Sequence, residues 1–120
     1  MKLLALRGAT TCEVDTKAEI VDKTQTLVNE MLERNSIDHD ALVSILFTAT
    51  DDLHAEFPAT AARALGLGDV PLICARELDI ADGMKRCVRV MMHFYGEHER
   101  AALHHVYLER AQTLRDDLPE

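Results

Sequence analysis

Tryptophan is absent from this chain of 120 residues, and aromatic residues together make up only 4% of it. Cysteine occurs three times, at Cys12, Cys74 and Cys87, and no pair has the Cys-x-x-Cys spacing. An odd cysteine number without that spacing argues against a disulfide scaffold and against a zinc site. His104 and His105 would point to opposite faces of a strand, which disfavours joint chelation. We therefore expect no metal ion, and a reduced, cytoplasmic protein.

Long hydrophobic runs are also missing. The apolar run Leu3–Leu6 ends at Arg7, too early for the hydrophobic part of a signal peptide. No segment approaches the roughly 20 apolar residues of a membrane span. Positive charge is scarce as well, because 13 Lys and Arg face 21 Asp and Glu and leave a formal net charge of −8. Sequence-independent binding of nucleic acid needs a basic surface. We expect neither a membrane nor a nucleic-acid partner.

The chain has an ordinary globular composition. Hydrophobic residues make up 48% of it and charged residues 28%, which excludes disorder as the main state. The length fits one domain, so residues 1–120 are interpreted as a single domain.

Hydrophobic periodicity and capping residues predict two helices. Thr16 and Glu19 fit a capping box, and the apolar face of the following helix ends at Asn35, after about 18 residues. A short helix is predicted over Phe57–Gly66, with Pro58 in its first turn and Gly66 at its end.

Five extended segments are predicted. Gly8 in the first of them marks either a bulge or a close approach of backbone to another element. The segment 41–50 is almost continuously apolar and predicts a buried central strand. Pro71 places its strand at a sheet edge or a strand start. The five segments are 2–14, 41–50, 70–75, 86–95 and 103–108.

The resulting order, β-α-β-α-β-β-β, predicts an α+β fold with α/β-like character. Its core is a five-stranded mixed sheet with one long and one short helix on one face. The other sheet face would be bare in a monomer, and burial against partner subunits is the simplest way to cover it. The segment 86–95 alternates, so that Val88, Val90, Met92 and Phe94 form its core face. Arg89 then lies in mid-strand on the other face, where a charge is costly unless it is paired.

Common catalytic motifs are not found. Gly66-Leu67-Gly68 lacks the helix and lysine of a phosphate loop, and no serine nucleophile elbow is present. Taken singly, each arginine near the apolar strands is most often a surface residue, and Glu77 is most often a solvated strand end. Cys74 and Cys87 are most often small core hydrophobes.

Several motifs nevertheless occur together, in order, across nearly the whole chain. They are Arg7-Gly8-Ala9-Thr10-Thr11 with Glu13, the run 49–59, Val70-Pro71, Cys74 with Glu77, the run 85–92, His105-Val106-Tyr107-Leu108-Glu109, and Leu114-Arg115. In this set the chain resembles the AroH-type monofunctional chorismate mutases. The resemblance implies a homotrimer with a pseudo-α/β-barrel core and active sites between adjacent subunits. It also implies the rearrangement of chorismate to prephenate in phenylalanine and tyrosine biosynthesis, without a cofactor.

The resemblance also implies a role for each site residue. Arg89 would lie beside the ether oxygen of the breaking bond, and Glu77 would accept a hydrogen bond from the ring hydroxyl, with Cys74 nearby. Arg7 and Tyr107 would bind a substrate carboxylate. The remaining residues implied in substrate binding are Phe57, Ala59 and Arg63 from the neighbouring subunit, Ile73 and Leu114 as apolar walls, and Arg115 in a mobile tail.

Three departures from the family pattern stand out. Thr60 replaces a lysine that is common at the cleft edge, and a missing cation there would weaken substrate binding but spare the chemistry. The turn Gly66–Asp69 is shorter than in some relatives, and Asp116 stands where a proline is common. The alternative is a RidA-like trimer, an imine deaminase or non-catalytic metabolite binder, which would not need Glu77 and Arg89 together.

Overall fold

The structure is a computed structural model, and it describes residues 1–114. The strands are β1 (Lys2–Thr11), β2 (Leu42–Ala49), β3 (Leu72–Arg76), β4 (Cys87–Gly96) and β5 (Val106–Tyr107). The helices are α1 (Lys17–Arg34) and α2 (Ala59–Ala64), with 3₁₀ turns at His39–Ala41, Arg100–Ala102 and Glu109–Leu114. Leu114, predicted to begin an irregular tail, thus ends a 3₁₀ turn. Arg115 and Asp116 lie outside the described residues.

The five strands form one mixed sheet in the order β3-β2-β4-β1-β5. β4 pairs antiparallel with both β1 and β2, whereas β3 runs parallel to β2 and β5 parallel to β1. This confirms the predicted sheet and its element order. Pro71 precedes the edge strand β3, as predicted.

Helix α1 begins as its capping residues predict. The Thr16 Oγ1 accepts a hydrogen bond from the Glu19 N–H at 3.2 Å. The Glu19 carboxylate, however, accepts from the Glu13 N–H at 2.9 Å and not from Thr16. This bond holds the chain after β1 and helps to end the strand at Thr11, before the predicted end at Val14.

The last strand is shorter than the predicted segment 103–108. Asn35, at the end of α1, accepts the His104 N–H on its Oδ1 at 2.7 Å and donates its Nδ2 to the His104 carbonyl at 2.9 Å. Because both backbone groups of His104 bond to this side chain, they are not available to a strand partner. β5 therefore contains only Val106 and Tyr107.

Gly8 lies in a continuous stretch of β1, opposite Val90 and Val106, so the bulge interpretation is wrong. A Cβ at Gly8 would lie 2.5 Å from the Met31 Sδ and 3.1 Å from the Leu27 Cδ1. Glycine allows α1 to pack directly on the strand, which confirms the close approach.

The helices cover one face of the sheet. Val88, Val90, Met92 and Phe94 are buried there, as the alternation of β4 predicts. In β2 only Ile45 and Phe47 are buried. The prediction of a fully buried β2 is thus wrong within one chain, because no element among residues 1–114 covers its second face.

We call this second face the open face, and the strand register defines it. Its successive rows are Leu3 with Tyr95; Ala5 with His93 and Ser44; Arg7 with Met91, Leu46 and Ile73; and Ala9 with Arg89, Thr48 and Ala75. Leu3, Tyr95, Leu46 and Ile73 are exposed. An apolar sheet face without a cover agrees with the expectation from the sequence.

Candidate active site

A cleft of about 290 Å³ opens on the open face where β1, β2 and β4 lie side by side. It collects five of the predicted site residues, which come from four separate parts of the chain. They are Arg7, Glu77, Arg89, Tyr107 and Leu114.

Arg89 is paired, as its position in mid-strand requires. Its Nε lies 3.0 Å from the Glu77 Oε2, and 47% of its side chain is exposed. The guanidinium has five donors and Nε supplies only one of them. The pair therefore holds the arginine in place and leaves donors for an anion in the cleft.

Glu77 is held on both carboxylate oxygens. Its Oε2 also accepts the Thr48 hydroxyl at 2.9 Å, and its Oε1 accepts the Leu78 N–H at 3.1 Å. The Glu77 N–H bonds the Ala49 carbonyl at 3.0 Å, just beyond the end of β3. A carboxylate has about four acceptor sites. The two hydrogen bonds and the Arg89 ion pair therefore leave at least one for a ligand hydroxyl.

Tyr107 and Arg7 form another part of the cleft. Tyr107 is buried in a small cluster with Ala9, Cys87 and Ala111, against which Leu114 packs. The Arg7 N–H donates to the His105 Nδ1 at 3.0 Å, which fixes the backbone from which the arginine side chain extends.

The other predicted residues line a separate depression of about 320 Å³ beside α2 and the edge strand β3. None of the described residues lines both this depression and the cleft. Phe57 is 65% exposed and Ile73 is 64% exposed. We call the depression the β3-edge depression; its predicted members are Phe57, Ala59, Arg63, Ile73 and Cys74.

Comparison with known proteins identifies the family of the chain. The family model "Chorismate mutase type I" matches residues 3–118. The chain belongs to the chorismate mutase type I family. This result supports the chorismate mutase interpretation and gives no support to the RidA-like alternative.

Individual relatives of the chain are also chorismate mutases. The chain is 44% identical over 119 residues to chorismate mutase AroH of Bacillus subtilis (strain 168), covering 98% of this chain and 94% of that protein. It is 40% identical over 114 residues to chorismate mutase AroH of Thermus thermophilus, covering 94% and 93%. A solved chorismate mutase from Clostridium thermocellum is 44% identical and superposes with a TM-score of 0.90, over 92% of this chain and 98% of that one.

Two of the predicted site residues lie outside the cleft within a single chain. The resemblance implied Cys74 near Glu77 and Ile73 as an apolar wall. In this chain both line the β3-edge depression, and Cys74 faces the helix side of the sheet, opposite Phe47.

Thr60, which replaces the common family lysine, lies beside this depression. Its hydroxyl accepts a hydrogen bond from the Arg63 guanidinium at 3.3 Å. A lysine at this position would be a second cation beside Arg63. In this chain Thr60 instead makes a polar contact with Arg63.

Cys87 fits the core interpretation. It is buried beneath the cleft, and burial raises the pKa of its thiol although Arg89 opposes the rise. Cys12 is also buried, and burial raises its pKa to about 11. Both therefore remain protonated thiols at neutral pH.

Sequence reasoning missed Thr48 and His105 as parts of the site. Thr48 belongs to it because the register places it opposite Arg89, and no local pattern in β2 reveals that register. His105 occurs in a quoted motif, but its bond to Arg7 joins residues 98 positions apart.

Among residues 1–114 there is no group of three or more His, Cys, Asp or Glu able to hold a metal ion. No helix in the described part of the chain is long and apolar enough to span a membrane.

Proposed function

We propose that this protein rearranges chorismate to prephenate in a cleft that two copies of the chain complete. The observation that carries the proposal is the cleft itself, in which a strand-held Arg89 paired with Glu77 lies beside Arg7 and Tyr107. A cation in the middle of an apolar sheet is costly for folding, so its presence calls for a functional reason. The reaction of the matched family, in which a cation stabilises the transition state, provides that reason.

Arg89 is the electrostatic centre of the proposed mechanism. The breaking ether bond leaves partial negative charge on its oxygen in the transition state. A cation that is already oriented stabilises that charge without reorganising during the reaction. The Glu77 contact and the β4 backbone give Arg89 this fixed orientation.

The remaining cleft residues bind and orient the substrate. Glu77 accepts the ring hydroxyl on its remaining acceptor site, and Arg7 and Tyr107 bind a carboxylate. Leu114 supplies an apolar wall. Together they favour the compact conformer in which the two reacting carbons are close, which removes part of the entropic barrier. The proposed step is intramolecular, so it needs no nucleophile and no proton transfer.

A homotrimer explains why the predicted residues fall into two groups. In a closed ring of identical copies, each copy presents one surface to a different surface of the next. Such a ring would set the β3-edge depression of one copy against the cleft of its neighbour. Phe57, Ala59 and Arg63 would then complete the neighbour's site, and Ile73 and Cys74 would accompany them. The ring would also cover the open face, and we propose that Arg115 helps to close the site.

The direct test is a chorismate-consumption assay on the purified protein and its Arg89→Ala variant. We expect the wild type to form prephenate and the variant to lose roughly 100- to 1000-fold or more in kcat, the scale of removing one transition-state donor. Arg34→Ala removes an arginine whose partner is Glu30 on the surface of α1, and it should leave kcat unchanged. A folded wild type that consumes no chorismate would overturn the proposal.

A further inference from the structure

We propose that Thr48 is a positioning residue for this reaction, because its hydroxyl fixes the carboxylate that orients Arg89. The inference rests on the proposed function and extends it to a residue outside the motifs found in the sequence. The Glu77 Oε2 accepts a hydrogen bond from the Thr48 hydroxyl at 2.9 Å and forms an ion pair with the Arg89 Nε at 3.0 Å. The hydroxyl and the guanidinium thus meet on one oxygen atom.

The sheet register brings these groups together. Thr48 of β2 lies opposite Arg89 of β4 and opposite Ala75 of β3. Glu77 follows β3 by one residue, and its N–H bonds the Ala49 carbonyl. The hydroxyl, the carboxylate and the guanidinium therefore come from neighbouring strands at one level of the sheet. Thr48 is half-buried and lines the cleft, so its hydroxyl lies where the substrate is proposed to bind.

The Thr48 bond limits rotation of the Glu77 carboxylate. Without it, the Leu78 N–H would hold one oxygen and Arg89 would be the sole side chain on the other. A carboxylate free to turn can exchange the oxygen that it offers to Arg89 and can move its remaining acceptor site. Thr48 consequently controls both the direction of the guanidinium and the site proposed for the substrate hydroxyl.

The expected consequence is a fall in kcat more than a rise in KM. The charge that Arg89 stabilises exists only in the transition state, so a misaligned guanidinium costs more there than in the ground state. The substrate carboxylate keeps its contacts with Arg7 and Tyr107, which do not involve Thr48.

The test is steady-state kinetics of Thr48→Val, which removes the hydroxyl and keeps the shape. We expect kcat to fall about tenfold, as for one hydrogen bond to a charged group, with KM within about threefold of wild type. Thr48→Ser keeps the hydroxyl and should recover kcat to within about threefold of wild type. Thr10→Val is the matched control, because Thr10 is a buried strand threonine whose hydroxyl has no partner among residues 1–114. It should leave kcat unchanged.

A double-mutant cycle distinguishes positioning from independent action. If Thr48 acts through Glu77, Thr48→Val should cost less than about twofold in the Glu77→Ala background. An equal loss of kcat in both backgrounds, or a wild-type kcat in Thr48→Val, would overturn the inference. The proposed function is tested separately, by whether the wild type consumes chorismate. If thermal melting or a mass measurement shows that Thr48→Val does not assemble correctly, the kcat of Thr48→Ala is compared with that of Thr48→Ser. Equal kcat values in these two variants would also overturn the inference.

Discussion

Gly8 shows how one residue can serve both faces of the sheet. On the helix side its missing Cβ leaves room for Met31, and on the open face its backbone borders the cleft. The strand around it is regular, so the glycine is needed for space and not for an unusual dihedral angle.

We expect Gly8→Ala to lower the free energy of unfolding by about 1–3 kcal/mol, the cost of an overpacked core. The new methyl group would lie 2.5 Å from the Met31 Sδ, and the buried Met31 side chain must move. Urea unfolding at a fixed protein concentration measures the change, since the stability of an oligomer depends on concentration.

Gly68→Ala is the control, because the nearest atom to a Cβ there is the Arg63 Cγ at 3.9 Å. Its free energy of unfolding should stay within about 0.5 kcal/mol of wild type. Equal stability of the Gly8 and Gly68 variants would contradict the packing argument.

Single residues differ in how far the sequence determines their role. A charge in the middle of an alternating strand must be paired, so the pairing of Arg89 could be predicted from β4 alone. Its partners could not, because Glu77 and Thr48 reach it only through the packing order of three strands. Gly8 left two interpretations open, and the position of α1 decided between them.

At the scale of elements, the turn into β4 depends on one carboxylate. Arg86 has a φ of 47°, which is unfavourable for a residue with a side chain. Both oxygens of Asp52 accept the Arg86 N–H at 3.0 Å, and the Thr50 hydroxyl donates to Asp52 at 2.6 Å. Asp52 thus joins the end of β2 to the start of β4, next to Cys87 and Arg89.

These bonds make the stability of the turn depend on pH. Burial would raise the pKa of Asp52, but hydrogen bonds from Thr50 and Arg86 outweigh it and lower that pKa below its ordinary value. A carboxyl group whose pKa is lower in the folded state stabilises the fold at pH values above the ordinary aspartate pKa of about 4. The stabilisation is lost as the pH falls through the lower folded value.

We expect Asp52→Asn to reduce the free energy of unfolding by about 1–2 kcal/mol at pH 7, since it weakens charge-assisted hydrogen bonds. This difference in free energy of unfolding from wild type should shrink progressively as the pH falls below about 4. Urea unfolding of the wild type and the variant, between pH 7 and pH values below 4, measures this difference. Asp38→Asn is the control, because it changes an exposed carboxylate with no capping bond. Its free energy of unfolding should stay close to that of wild type throughout the same pH range. A difference at Asp52 that does not shrink at all as the pH falls below 4 would contradict the assigned role of the Asp52 carboxylate.

The elements themselves could largely be predicted, and the errors in β2 and β5 have physical causes. The apolar run of β2 predicts burial on both faces, but a sequence does not say whether the second face meets a helix or another copy of the chain. The shortened β5 results from the Asn35 bonds to His104, which join residues 69 positions apart. Neither cause has a local signal.

At the scale of the whole molecule, the cleft and the β3-edge depression are the two parts of one proposed site. The cleft carries Arg89, and the β3-edge depression carries Arg63. Within residues 1–114 the two parts share no lining residue, and an apolar open face lies exposed in the single chain. The order of strands and helices could predict the bare face, but only the family resemblance predicted that three copies cover it.

Mixing two damaged proteins tests this arrangement. Arg89→Ala damages the cleft and Arg63→Ala damages the depression, so each variant alone should be at least about tenfold less active than wild type. Subunits exchanged by mild denaturation and refolding form trimers that contain both kinds of chain. Going round any mixed ring, one junction joins an intact Arg89 to an intact Arg63. Every mixed trimer therefore regains one of its three sites.

Random exchange at equal concentrations makes about three-quarters of the trimers mixed, so activity should rise to about a quarter of wild type for a closed three-membered ring. If Arg63 and Arg89 instead served one site within a single copy, each chain would lack one arginine and mixing would only average the two residual activities. Arg34→Ala refolded with Arg89→Ala is the control for the procedure. There each site with an intact Arg89 is active in either arrangement, so activity should be about half of wild type and unaffected by exchange.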